Sequence, residues 1–459
     1  MKAYRKEFDS IGTRMVPEEA YYGIQSMRGA ENFRITGQGM HPQLIRAMVE
    51  LKKAAAITNR DAGVYDGKIA NAIILACDEI LAGKWLDNFI IDAIQGGAGT
   101  SANMNANEVV ANRAIEILGG KKGDYRVVHP NDHVNCGQST NDVIPSAGRI
   151  AAIRLFRETA ASLEKLKNAF EEKARAYGQV IKMGRTEMQD AVPISFGQVF
   201  GAYASAISRD LRRFALAEQE LSVINMGGTA IGTCINAHPD YVKGITENVR
   251  EVTGLSLTQA ADLVDGTQNL DVLAFVSGIT KACAVTLSKI AGDLRLMSSG
   301  PRTGFGEISI PAMQNGSSIM PGKVNPVMPE VMSQIAFLVM GNDTTVALAA
   351  EAGQLELNAF EPVIFQRLFE SLDTLRNGAE IFRTACVEGI TVNVEKCRSN
   401  VENSIGTVTA LCPYIGYSRA ADIAKRALKE GKSLRRVILE AKILPEDKLD
   451  EILDPKKMI

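Results

Sequence analysis

Apolar side chains recur at helical spacing over stretches too long for most architectures to accommodate. Phe156, Leu163, Phe170 and Tyr177 fall every seven residues with Leu166 between them, and Phe200, Tyr203, Ile207, Leu211 and Phe214 step by threes and fours. Residues 268–297 repeat the pattern through Leu270, Leu273, Val276, Ile279, Cys283, Leu287, Ile290 and Leu294. One apolar stripe sustained over that length marks a long amphipathic helix. From Pro329 to about Leu375 the apolar residues occupy several faces, which predicts a helix surrounded by protein. Alternating patterns that would make strands are few and short. The chain is therefore mainly α, with a central bundle of very long helices. One chain cannot cover so much apolar helix, so subunits are expected to pack their bundles together in a symmetric oligomer.

Charge narrows the partners. Fifty-one basic residues against 53 acidic ones leave a net charge of −2, which excludes a chain built to coat nucleic acid or an anionic membrane. No run of about 18 apolar residues escapes charge, so no membrane span is expected. The start, Met1-Lys2-Ala3-Tyr4-Arg5-Lys6-Glu7, has no apolar segment of the kind a secretory signal needs. Seven Cys stand singly without metal-ligand spacing, which fits a reduced, cytoplasmic protein. The division expected is a mostly helical 1–140, the bundle at 141–395, and a small helical unit at 396–459. In the last, Ser418 is placed to cap a helix ending at Gly431, and Pro445 with Glu446 and Asp447 opens another.

One segment breaks the helical pattern. Between Gly300 and Pro329 lie Gly304, Gly306, Pro311, Gly316, Pro321, Gly322 and Pro326. Roughly thirty residues without helical period between two long helices read as a functional loop. It carries one of four polar clusters, Gly316-Ser317-Ser318-Ile319-Met320-Pro321-Gly322-Lys323-Val324-Asn325-Pro326. The others are Gln95-Gly96-Gly97-Ala98-Gly99-Thr100-Ser101 leading into Asn103, Asn105 and Asn107; Cys136-Gly137-Gln138-Ser139-Thr140-Asn141-Asp142; and Gly184-Arg185-Thr186-Glu187-Met188-Gln189-Asp190. Each lies beside glycine or at an expected helix start.

Taken singly, each cluster has a plainer explanation as a helix cap, a turn or a solvated lysine. Together they describe a pocket of neutral donors with one full cation, Lys323, suited to a small carboxylate. Other chemistry is poorly provided for. Gly227-Gly228-Thr229-Ala230-Ile231-Gly232-Thr233 lacks the lysine of a phosphate loop, and no Gly-x-Ser-x-Gly elbow is present. His129 and His133 have metal-binding spacing only on a helix, which Pro130 and Asn131 disfavour, so no metal is expected.

The loop 316–326 resembles the signature of the fumarase/aspartase superfamily, and the resemblance extends over nearly the whole chain. His133-Val-Asn through Gln138-Ser-Thr-Asn-Asp142, and Gly341-Asn-Asp-Thr-Thr345 running on to Glu351-Ala-Gly-Gln-Leu355, resemble its aspartase branch. The resemblance implies three mostly helical domains, a homotetramer on a shared helical core, and active sites each assembled from three subunits. It implies reversible deamination of L-aspartate to fumarate without an organic cofactor. On that pattern Ser317 is the base on a mobile loop. Lys323 and Asn325, with Thr186 nearby, hold the α-carboxylate and amino end. Thr100, Ser139, Thr140 and Ser318 hold the β-carboxylate, and Asn141 contacts the amino group.

The chemistry is demanding on its own terms. Taking a proton from the carbon next to a carboxylate puts a second negative charge on that group, so donors must already be aimed at it. A serine serves as base only if its alkoxide is stabilised by N–H groups and a cation. One position departs from the pattern. Fumarases and some aspartases resemble this segment but carry His after Gly-Arg-Thr, where Glu187 stands here; other aspartases have Gln. In fumarases the His is paired with a glutamate that Glu330 matches. The missing His counts against hydration of fumarate, and a carboxylate at 187 favours a cationic leaving group such as ammonium. The alternatives are that Glu187 pairs with Arg185 or another basic residue, or that the substrate is another amino acid. An inert structural role, as in some lens relatives of this superfamily, is opposed by the presence of Ser317, Lys323 and Asn325 together.

Overall fold

The computed structural model describes residues 3–459. A hairpin of β1 (Tyr4–Asp9) and β2 (Gly12–Pro17) precedes helices α1 (Ile24–Asn32), α2 (Pro42–Asp61), α3 (Gly67–Leu81), α4 (Thr100–Ile117) and the 37-residue α5 (Thr140–Ala176). A second hairpin, β3 (Ile181–Thr186) and β4 (Gln189–Ser195), leads into α6 (Phe196–Leu221). Short paired strands β5 (Val223–Ile224) and β6 (Thr258–Gln259) flank α7 (Pro239–Thr253), and α8 (Leu263–Gln268) leads to α9 (Asp271–Met297). After β7 (Ile308–Ser309) come α10 (Val327–Glu351) and α11 (Glu361–Ala385), and β8 (Thr391–Val392) pairs back to β7. The chain ends in α12 (Val394–Asn403), α13 (Cys412–Ile415), α14 (Tyr417–Glu430), α15 (Leu434–Glu440) and α16 (Glu446–Ile452).

The chain divides into two compact units, Met1–Ala160 with Arg212–Ala282 and Leu338–Thr374, and Ala161–Leu211 with Cys283–Phe337 and Leu375–Ile459. Helices α5, α6, α9, α10 and α11 contribute residues to both. In the first unit Phe156 meets Phe214 edge to face at 4.9 Å, and Gly148 lets Phe365 lie where a Cβ would sit 1.9 Å from the ring. In the second, Phe170, Phe196, Phe200 and Tyr203 form one aromatic cluster. The tail has its own small core of Leu411, Ile423, Leu434, Val437, Ile438 and Leu449.

Several expectations need correction. The stretch from Pro329 to Leu375 is two helices, broken at residues 352–360, where Asn358 Nδ2 donates to the carbonyls of Ala349 and Ala350. That side chain satisfies the carbonyls α10 leaves open at its C-terminal end. Nor does the same chain surround α10: Phe337 is 63% exposed and Leu348 65%. By length and overall composition alone α9 and α10 are apolar enough to cross a membrane, although every stretch of 18 residues in them includes a charge. Their interior charges are paired, however, Lys281 with Asp343 and Lys289 with Asp293. Ser418 does not cap α14, which starts at Tyr417 after Gly416, although it does stop at Gly431 with φ +62°. Residues Pro130–Val134 form a π-helical turn despite Pro130, which sits at its first position, where no N–H is needed. His133 Nδ1 accepts from His129 N at 2.9 Å, and His129 Nδ1 caps the turn, accepting from Asn131 N and Asp132 N. Among the described residues no cluster of metal-binding side chains occurs.

Candidate active site

In the first unit the site is built on two helix starts. Gly99, at φ +88°, ends the glycine turn and delivers Thr100 as the first residue of α4. A Cβ at Gly99 would come within 3.0 Å of Ile144 on α5, so glycine lets the two helix starts approach. The start of α5 is fixed by a reciprocal cap: Ser139 Oγ accepts from Asn141 N at 3.2 Å and Asp142 Oδ1 accepts from Ser139 N at 2.8 Å. Pro145 removes the N–H that would have reached Asn141 O, and Asn225 Nδ2 takes that carbonyl at 3.0 Å. The backbone N–H groups of Gly227 and Thr229 close on Asp142 Oδ2, so the loop rejected as a phosphate cradle holds an internal carboxylate. Burial pushes that carboxyl up to about 6, with the three backbone donors opposing.

The polarity of each group follows from these bonds. Ser139 accepts from Asn141 N, and Thr140 Oγ1 accepts from Asn103 Nδ2 at 3.3 Å, so both hydroxyl protons are free to point outward. Asn141 spends Nδ2 on Ala230 O at 2.7 Å and keeps Oδ1 as an acceptor, the polarity an ammonium requires. Thr100 differs, since its hydroxyl donates to Gly97 O at 2.7 Å and must rotate off it to reach a carboxylate. Asn105 is structural, bridging Ile90 N and Asn88 O.

In the second unit the long loop folds on itself. Asn325 Nδ2 donates to Gly316 O at 2.9 Å and Lys323 Nζ donates to Asn325 Oδ1 at 2.8 Å. Half-buried Ser317 accepts at Oγ from Ile319 N (3.3 Å) and Met320 N (2.9 Å), with Ser318 exposed beside it. A serine oxygen held by two N–H groups is held as its alkoxide would need. Lys323 and Asn325 line a cavity of about 720 Å³ with Arg295 and Glu330, whose side chains lie 3.8 Å apart.

Thr186 and Glu187 sit on the tip of the β3–β4 hairpin, not at a helix start. Thr186 pairs with Gln189, leaving Glu187 (φ +52°) and Met188 (φ +65°) as a two-residue turn with both φ values positive. That turn prefers Asn-Gly, and a side chain held there costs roughly 1–2 kcal/mol per residue. Glu187 does not pair with Arg185, because Arg185 bonds Glu307 at 2.7 Å alongside Lys182 at 3.1 Å. Among the described residues Glu187 has no ionic partner, and it lines an open cavity of about 920 Å³.

Two cations escaped the sequence reading. Arg295 lines the cavity of Lys323, and nothing in its helix pattern marks it. Lys52 lies wholly buried behind Thr140, and nothing marks it in the mixed run 45–56 of α2, which also carries Arg46, Glu50 and Lys53.

One unit presents outward hydroxyls and an acceptor fit for an ammonium, and the other a serine in a glycine-rich loop, the groups a lyase needs. A family model described as lyase matches residues 12–341, and one for the fumarase C C-terminus matches residues 408–459. The chain belongs to the fumarase/aspartase superfamily of lyases. It is 50% identical over 458 residues to an aspartate ammonia-lyase of Bacillus subtilis (strain 168), covering 100% of this chain and 96% of the relative. It is 51% identical over 457 residues to an aspartate ammonia-lyase of Helicobacter pylori (strain J99), covering 99% and 98%. The crystal structure of a fumarate lyase:delta crystallin from Brucella melitensis bound to cobalt superposes with a TM-score of 0.97 at 47% identity, covering 99% of each chain.

Proposed function

We propose that this chain is an aspartate ammonia-lyase, catalysing the reversible anti-elimination of ammonia from L-aspartate to give fumarate. The observation that carries the reading is Ser317, its Oγ cradled by two N–H groups on the loop that bears Lys323. The identity to two aspartate ammonia-lyases over nearly their full length supports it. Ser317 takes a proton from the β-carbon, and the electron pair moves into the β-carboxylate as an aci-carboxylate. Ser139, Thr140, Ser318 and a rotated Thr100 donate to that charge. The pair then returns to form the double bond as the Cα–N bond breaks. Ammonia leaves and the proton on Ser317 passes to it, so the products are fumarate and ammonium. Lys323, Asn325 and Thr186 hold the α-carboxylate, and Asn141 Oδ1 with Glu187 faces the amino group. The deciding assay is the absorbance of fumarate formed from L-aspartate beside malate and a panel of amino acids; turnover of malate or another amino acid in place of aspartate overturns the reading.

Glu187 tests the leaving-group side. Glu187→Gln is expected to lower kcat/KM for aspartate roughly ten- to a hundredfold, as for a hydrogen bond to a charged group. Competitive inhibition by succinate, which has no amino group, should be unchanged or tighter. If Gln costs nothing and succinate is unaffected, Glu187 has no part in the reaction.

The reading extends to a cytoplasmic homotetramer whose subunits share active sites, each chain divided at 1–140, 141–395 and 396–459. Seven free thiols fit a reducing compartment. Phe275 (50% exposed), Phe337 and Leu348 on the long helices supply apolar surface for partner subunits. Light scattering is expected to give four times the 49.5 kDa chain mass, with activity lost on dilution to monomers. An active monomer would show that one chain completes its own site.

A further inference from the structure

The Lys52 ammonium is wholly buried, and its three hydrogen bonds go to neutral amide oxygens: Asn103 Oδ1 at 2.7 Å, Asn135 Oδ1 at 2.8 Å and Gln138 Oε1 at 2.9 Å. Burying a cation among neutral groups is costly, and an apolar side chain of similar size would fill the space more cheaply. Burial pulls the lysine down to about 7, with the field of Asp142 opposing. A group kept at that expense beside the Ser139-Thr140-Asn141 donors has something to return.

We propose that Lys52 and Asn103 are positioning residues: the ammonium, acting through the Asn103 amide, holds the Thr140 hydroxyl as a hydrogen-bond donor to the bound carboxylate. This rests on the reading of the site as a dicarboxylate pocket. An ammonium has three donors and no acceptor, so every amide that faces it must turn its oxygen inward. Asn103 is therefore fixed with Nδ2 pointing away, at Asn135 Oδ1 (3.1 Å) and Thr140 Oγ1 (3.3 Å). Thr140 can only accept in that bond, and its own proton is left for the substrate. Without the cation the Asn103 amide is free to flip, present Oδ1 to Thr140 and draw the hydroxyl proton inward. The charge on Lys52 thus sets the direction of a relay that ends on the carboxylate.

The experiment measures succinate affinity by titration calorimetry on the purified full chain. Asn103→Asp is nearly isosteric and keeps an oxygen on Lys52, but it puts an acceptor against both Thr140 and Asn135 Oδ1, so a thermal melt of each variant accompanies the titration. Asn103→Asp is expected to weaken succinate roughly ten- to a hundredfold, and Lys52→Met to weaken it similarly. Both losses should shrink to about twofold or less in a Thr140→Val background, where no hydroxyl remains to be turned. Asn103→Leu gives a second handle: it should lower the melting temperature more than Asn103→Asp yet weaken succinate less. An affinity order that follows melting temperature, an equal loss in both backgrounds, or no succinate binding by the parent chain overturns the proposal. Failure of aspartate turnover, with the succinate pattern as expected, would instead overturn the reading of the reaction.

Discussion

Ser317→Ala is expected to lower aspartate turnover by about a hundred- to ten-thousandfold, the range a positioned base contributes, with the melting temperature unchanged. Half-buried Ser317 sits in a largely exposed loop and its hydroxyl bonds only its own neighbours, Ile319 N and Met320 N. Removing it returns two N–H groups to solvent and touches no core contact, so a structural role predicts almost no effect on stability. The reaction, by contrast, loses its proton acceptor. Fumarate absorbance in single-turnover and steady-state runs, beside a thermal melt, separates the two. Activity within a few-fold of the parent would exclude Ser317 as the base.

Gly316→Ala should cost at least about a hundredfold without altering any reacting group, since displacement by an ångström can do that much. A Cβ at Gly316 would lie 1.8 Å from Lys323 O and 2.7 Å from Val324 Cα, so the two ends of the loop must part. Parting them breaks the Asn325 bond to Gly316 O and moves Ser317 and Lys323 together. The melt should again be unchanged, because the loop is largely exposed. Turnover within tenfold would mean that the loop closes correctly by another route.

How much of this could be read beforehand depended on whether a residue declares its own geometry. The seven-residue stripe did: Phe156 and Phe170 are both buried where the spacing placed them. Glycine and proline marked the long loop between α9 and α10, and Ser-Thr-Asn-Asp marked the start of α5. The break between α10 and α11 was hidden because Gly353 stands among good helix formers, Glu351, Ala352, Gln354, Leu355 and Glu356, and the stop depends on Asn358 reaching back to carbonyls several residues earlier. The β3–β4 turn was hidden because Glu187 and Met188 are not turn formers; the strands impose the turn upon them. Lys52 was hidden because α2 carries other charges around it, Arg46, Glu50 and Lys53, and a helical lysine ordinarily extends to solvent. Only the meeting of α2 with Asn103, Asn135 and Gln138 shows that it does not.

That imposed turn separates two things that usually change together. The backbone at 187 is set from outside, by the Thr186–Gln189 pairing and by Arg185 moored on Glu307. The side chain there projects from a frame that owes it nothing, so an exchange leaves the strands in step and no packing to repair. With Glu187 placed opposite the amino group, as proposed, a single-codon change there would alter that contact while the rest of the scaffold stays as it is.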